Sequence, residues 1–307
     1  MKKIILILVT LYVIIVAGFL LKTTKKPQKS TKIIIVTTIF PVYDVARNIA
    51  GDEAHVIMLL PPGVEPHTFE PKPQDIATIS NADLFIYTGK NMEPWAEKIL
   101  KGIKNTRLII VDSSQNIPLI SANQRDNKNE EKYDPHIWLD FQNIKIMANN
   151  VLQGLKKIDP SHADLYKKNA QEYSDKLSSL DNKFKKTLAT CKKKEVVYGG
   201  HYAFGYMAKR YGIVYKAVQG FLPESEPSMK DLSDMIAFIK KNNVDYVYYE
   251  ELSSPKIAQT IANETHTQLL LLNAAHSISK KDIENGTSFI SIMERNLLNL
   301  KRGLECI

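Results

Sequence analysis

Eight short apolar runs, each separated from the next by a stretch long enough for a helix, set the strongest limit on how this chain folds. Four lie before residue 114: KIIIVTT (32–38), HVIMLLP (55–61), DLFIYTG (83–89) and RLIIVDS (107–113). Four lie beyond residue 194: EVVYGG (195–200), IVYKAVQG (213–220), DYVYYEE (245–251) and QLLLLNA (268–274). Strands that alternate with helices pair in parallel, because each return to the sheet needs a crossover. Near-continuous apolar character fits sheets covered on both faces. The expectation is an α/β chain of two lobes, each with a four-stranded, mainly parallel sheet flanked by helices.

Between the two sets, Asp159-Pro160-Ser161 gives a helix start. Apolar residues follow at Tyr166, Ala170, Tyr173, Leu177, Leu180, Phe184 and Leu188, one stripe at three- and four-residue spacing. A helix from Ser161 to Thr190 would be about 45 Å long at 1.5 Å per residue, and suits a stiff strut between lobes. The expected division is a signal or anchor segment and linker over 1–32, an N-terminal lobe over 33–160, the linking helix over 161–190 and a C-terminal lobe over 191–307.

The net charge of +8 is concentrated at one end. Residues 1–32 carry seven lysines and no acids, which leaves 34 basic against 33 acidic residues beyond them. A nearly neutral folded part removes the main support for nucleic-acid binding. The uncharged run from Ile4 to Leu21, behind Lys2-Lys3, reads as an export segment. Its eighteen residues approach a bilayer span, so a retained membrane anchor is favoured over cleavage after Val16-Ala17-Gly18. Cys191 and Cys306 are too few for a cysteine-built metal site. Outside the cytoplasm they form either a disulfide or two buried thiols.

Seven histidines fall into two groups. His67, His136, His201 and His276 each follow the C-terminal end of an expected strand, two in each half. Open α/β sheets bind ligands in the crevice outside those ends, so facing lobes would bring the four together. His55, His162 and His266 fit surface or packing roles. Four neutral imidazoles suit zinc better than manganese, magnesium or calcium. Charge compensation would come from acids behind the ligands, with Glu65, Glu70, Asp140, Glu250 and Glu251 as candidates. Four protein ligands fill a tetrahedral shell and leave no position for a catalytic water, so the expectation is a binding protein and not an enzyme.

Three motifs, GVEPHTFEPKPQD (63–75), YDPHIWLD (133–140) and GGHYAFGYMAKRYGI (199–213), resemble those of the metal-binding substrate-binding proteins of ABC transporters. The resemblance runs in order from Lys32 to ERNL near the C-terminus. It implies two α/β lobes on a rigid helix, an ion between them, and delivery to a membrane permease with its ATPase. Histidine at position 201, where many manganese receptors have glutamate, implies zinc as cargo, one ion per chain. The fourth ligand varies in such proteins and is often acidic; here LLNAAHSIS (271–279) offers His276. The polar stretch 121–135 lacks the histidines of a zinc-scavenging loop.

The expected function is therefore an extracytoplasmic, monomeric zinc receptor of the periplasm or cell surface, serving an ABC importer. The alternatives are a manganese or iron receptor of the same family, a zinc hydrolase with three histidines and an open water position, and a surface adhesin.

Overall fold

A computed structural model describes residues 32–121, 132–221, 226–252 and 254–307. The expected export segment and the histidine-free stretch 122–131 lie outside the described residues. Among the described residues no helix is long and apolar enough to cross a membrane.

All eight expected strands form. The first sheet contains β1 (Ile33–Thr37), β2 (Ala54–Met58), β3 (Leu84–Tyr87) and β4 (Ile109–Asp112), in the order β2-β1-β3-β4. The second contains β5 (Glu195–Tyr198), β6 (Val214–Ala217), β7 (Tyr246–Tyr249) and β8 (Gln268–Leu271), in the order β6-β5-β7-β8. Every pairing is parallel, as helical crossovers require. The helices of the first half are α1 (Phe40–Ala50), α2 (Pro73–Ser80), α3 (Pro94–Gly102) and α4 (Phe141–Ile158). Then comes the linking helix α5 (Ala163–Ala189), followed by α6 (Gly205–Tyr211), α7 (Met229–Asn242), α8 (Lys256–Thr265), α9 (Lys280–Glu284) and α10 (Phe289–Gly303).

Strand alternation sorts side chains into layers. Ile35, Ile86, Tyr198 and Tyr248 point into a central apolar core, whereas their neighbours Val36 and Phe85 pack under α2 and α3, and Val197 and Val247 pack under α7 and α8. The central core is continuous across both sheets. It is bridged by α5, whose stripe Tyr166, Ala170, Tyr173, Leu177, Leu180, Phe184 and Leu188 is buried as the spacing predicts. The helix begins two residues later than expected, after a 3-10 turn over Pro160–His162. It packs against α1 and α4 on one side and α6 and α10 on the other. Ile33–Ile307 is thus one compact unit containing two sheets.

Polar contacts add to this. Asp181 on α5 is 2 % exposed and accepts from Arg210 Nε at 2.9 Å and from Tyr211 Oη at 2.8 Å. Lys185 reaches the same carboxylate at 3.0 Å. Arg210 also reaches Asp140, 3.1 Å away at the start of α4, so one guanidinium joins α6, α5 and α4. Cys191 and Cys306 form a disulfide across an isolated antiparallel bridge, which decides between the two readings left open by the sequence.

Candidate metal centre

The carboxyl ends of the two sheets face one another, and the loops that leave them carry the four expected histidines. His67 follows β2, His136 follows β4, His201 follows β5 and His276 follows β8. His136 and His201 are fully buried, His276 is 6 % exposed and His67 is half-buried. The Nε2 atoms of His67 and His136 lie 3.1 Å apart, as do those of His136 and His201. His276 stands slightly farther out, its ring centre 5.4 Å from that of His201 and 6.3 Å from that of His67. The other three histidines are elsewhere. His55 is exposed on β2, His162 pairs with Asp159, and His266 caps α8 in a left-handed conformation.

Two buried carboxylates set the tautomers. Asp134 Oδ1 accepts from both the backbone N–H and Nδ1 of His136, each at 2.9 Å. Glu250, at the end of β7, accepts from His201 Nδ1 at 3.1 Å through Oε2; its Oε1 is 2.9 Å away but badly angled. With Nδ1 of each ring donating to a carboxylate, each Nε2 is left to face the other rings. Two bare lone pairs 3.1 Å apart repel, so a proton on His201 bridges them in the ion-free protein and a metal cation takes its place. Tetrahedral zinc at 2.0–2.1 Å from nitrogen separates its donors by about 3.3–3.4 Å, so little movement is needed to admit it. The chemistry of the donor set therefore fits a zinc-sized cation. Two groups of three residues have that reach, His67-His136-His201 and His201-Glu250-His276, and they share His201.

Burial, and after it the neighbouring imidazoles, hold His67 and His136 well below the usual imidazole value of 6.5. Burial likewise dominates in lowering His276. Burial also pushes His201 down, but Glu250 outweighs it and the net direction is up. Asp134 is raised to about 8, chiefly by burial. A dication would reverse that pressure and draw the carboxylate to its charged form.

The glycines of GGHYAFG make room for these acids. A Cβ on Gly205 would lie 2.5 Å from Asp134 Oδ2, and one on Gly200 would lie 2.9 Å from Glu250 Oε2. Sequence reasoning included Glu250 among the compensating acids but missed Asp134. The available signal was Asp-Pro-His itself, since an aspartate two residues upstream readily folds back on a backbone N–H. Asp140 instead caps α4 and pairs with Arg210, and Glu70 is exposed. Glu65 accepts from the His67 backbone at 3.1 Å.

The loops are fastened across the lobes. Trp138, buried beside His136, donates from Nε1 to the carbonyl of Ala274 at 2.8 Å. Tyr206 on α6 donates to the carbonyl of Asp134 at 3.2 Å and accepts from Ile120 N at 3.1 Å. Near His276, Asn296 of α10 holds both backbone groups of Asn273, at 2.9 and 2.8 Å.

Two parallel-sheet lobes on one long helix, with their strand ends converging on clustered imidazoles, define a solute-binding protein of the metal-receptor class. The chain belongs to the family described as zinc-uptake complex component A, periplasmic, which it matches over residues 35–303. It is 34 % identical over 284 residues to the high-affinity zinc uptake system protein ZnuA of Bacillus subtilis, covering 90 % of this chain and 89 % of that protein. It is 33 % identical over 287 residues to the zinc-binding protein AdcA of Streptococcus pyogenes, covering 88 % of this chain but 56 % of that longer protein. The crystal structure of the Zn(II)-bound ZnuA-like domain of Streptococcus pneumoniae AdcA superposes with a TM-score of 0.77 at 33 % identity, covering 89 % of this chain and 99 % of that one. The laminin-binding protein Lmb of Streptococcus agalactiae, described as having adhesin and metal-transporting activity, gives 0.79 at 29 % identity, covering 89 % and 100 %.

Proposed function

We propose that this chain is the extracytoplasmic receptor of a zinc importer, binding one zinc ion through His67, His136, His201 and His276 and passing it to a membrane permease driven by an ATPase. The observation that carries the reading is the set of Nε2 atoms facing one another at 3.1 Å, with the far sides of His136 and His201 held by Asp134 and Glu250. Two carboxylates behind neutral imidazoles offset the double charge of the ion without occupying its coordination positions. Family membership and the names of the relatives point to the same cargo.

The lobes of this receptor are residues 33–160 and 191–307, with 161–190 as the linking helix. Residues 1–32 serve as its export segment and membrane tether, and the receptor acts as a monomer. Four donors complete a tetrahedral shell and leave no open position for hydrolysis. Manganese is the nearest competing cargo, and the imidazole-rich donor set disfavours it. The laminin-binding neighbours share the fold, whereas this reading rests on the histidines.

The test is elemental analysis with competitive titration of zinc against manganese. One tightly held zinc per chain, weakened by His201→Ala and by His276→Ala, is the expected result. A preference for manganese would overturn the cargo, and unchanged affinity in His276→Ala would remove the fourth ligand.

A further inference from the structure

His276 is held in place differently from its neighbours. A carboxylate supports the far side of the His136 ring and of the His201 ring. The His276 ring has no such support. Its Nδ1 has no hydrogen-bond partner among the described residues, and its Nε2 lies 3.7 Å from the carboxylates of Glu65 and Glu250, beyond hydrogen-bond reach. The backbone of its loop therefore sets where the ring stands.

That backbone is strained. Ala275, directly before His276, has a φ of +57° and is 1 % exposed. The left-handed region crowds any Cβ against the following carbonyl and suits glycine instead. A buried alanine stays there only where its surroundings over-determine it. Asn273 does so from one side, its Oδ1 accepting from the Ala275 N–H at 2.7 Å. Asn296, the asparagine of the ERNL run, fixes Asn273 in turn by bonding both its backbone N–H and its carbonyl. On the far side of His276, the Gly63 N–H donates to the Ile278 carbonyl at 2.9 Å. Gly63 belongs to the loop that carries His67, so this bond fastens two histidine loops from opposite lobes.

We propose that Ala275 is the release hinge of the site, and that Asn273, clamped by Asn296, is the positioning residue that keeps it bent. While the clamp holds, His276 stands at the cluster. When Ala275 relaxes to an extended or right-handed conformation, His276 turns away and the ion keeps three imidazoles. The inference rests on His276 being the fourth ligand in the receptor reading above. One backbone rotation then opens the site while His136, His201 and their carboxylates stay in place. Strain favours release and the clamp opposes it, so each can be changed separately.

The experiment uses the full chain with Ala275→Gly and Asn273→Ala, each made alone and together with His276→Ala, and thermal midpoints to establish folding. Zinc affinity is read by chelator competition and zinc release by stopped flow into excess chelator. Glycine removes the strain at position 275, so Ala275→Gly should slow release and tighten zinc about fivefold, equivalent to about 1 kcal/mol. Asn273→Ala removes the acceptor that holds Ala275 and should speed release and weaken zinc about fivefold. Both effects should vanish in the His276→Ala background, because they act through that ring; a merely structural contribution would persist there. Release from Ala275→Gly that is faster than the parent or within twofold of it would overturn the hinge, as would effects of equal size with and without His276. If Asn273→Ala does not fold, the Ala275→Gly pair carries the same test. Unchanged affinity in His276→Ala alone would instead overturn the ligand assignment on which the hinge rests.

Discussion

The indole of Trp138 donates to the carbonyl of Ala274 at 2.8 Å and so ties the loop that presents His136 to the loop that presents His276. Both residues are buried, and they belong to opposite lobes. Trp138→Phe removes the donor, strands a buried carbonyl and leaves a partial void. The ion-free protein should lose about 2 kcal/mol of stability, measured by urea unfolding. Zinc should also leave faster, because His276 loses its tie to the first lobe; an unchanged off-rate would mean that Asn296 alone positions the loop.

Asp134 acts on the ion through His136. Replacing it with asparagine keeps the shape and removes the charge that favours Nδ1 protonation and offsets the ion. Zinc affinity should fall about 10- to 100-fold while the fold persists, as read by competition with a chelator of known strength. A loss below threefold would show that His136 keeps its orientation without a carboxylate.

Zinc binding should release protons, and the direction follows from two groups. In the ion-free protein His201 is raised above 6.5 because Glu250 outweighs burial, and Asp134 is raised to about 8 by burial. Both bind protons near neutral pH, and both give them up when zinc arrives. Affinity should therefore climb as pH rises from 6.5 to about 8 and level off above it. Calorimetry in buffers of different ionisation enthalpy should count between about one and two protons released near pH 6.5 and fewer than about half a proton at pH 9. A constant count would contradict this assignment.

Arg210 compensates a buried charge on the linking helix. Burial alone would raise Asp181, but hydrogen bonds from Arg210, Lys185 and Tyr211 outweigh it and hold the carboxyl well below its usual range. Arg210→Ala should cost about 3 kcal/mol, at the low end for a broken buried pair, since Lys185 and Tyr211 remain. Because a depressed carboxyl stabilises the fold above its unfolded pKa and loses that contribution on acidification, the variant should also show a weaker pH dependence of stability between pH 5 and about 2. Equilibrium urea curves across that range would check both effects.

The Cys191–Cys306 bond spans 115 positions, and β5 leads from it towards the site, so it lies at the opposite end of the sheet from His201. Replacing both cysteines with serine should lower stability by about 3–4 kcal/mol, with chain entropy setting an upper bound near 4.7 for a 100-residue loop. Zinc affinity should stay within about twofold. A larger loss of affinity would mean that the bond holds the second sheet in register with the first.

Much of this architecture is legible in the residues. Strands buried on two faces show as unbroken apolar runs, and the α5 stripe from Tyr166 to Leu188 has a spacing that only a helix satisfies. The four clustered histidines stand out by their position after strands, not by their local sequence. What escaped was pairing across distance. Asp140 and Asp134 look equally suited to compensate an ion, and only the fold shows Arg210 taking the first and His136 taking the second. Nor do the sequence positions of two cysteines say whether their sulfurs meet. The shared core was hidden for the same reason, because a stripe on one helix does not state how many sheets it serves.

The disulfide has a further consequence for how the molecule is made. Its two halves are separated by the whole second sheet, and the later one comes only at residue 306. Because synthesis runs from the N-terminus, Cys191 emerges 115 positions before its partner and stays unpaired until the second lobe is complete. Oxidation therefore closes the fold last. A chain interrupted anywhere in the second lobe lacks Cys306 and stays open.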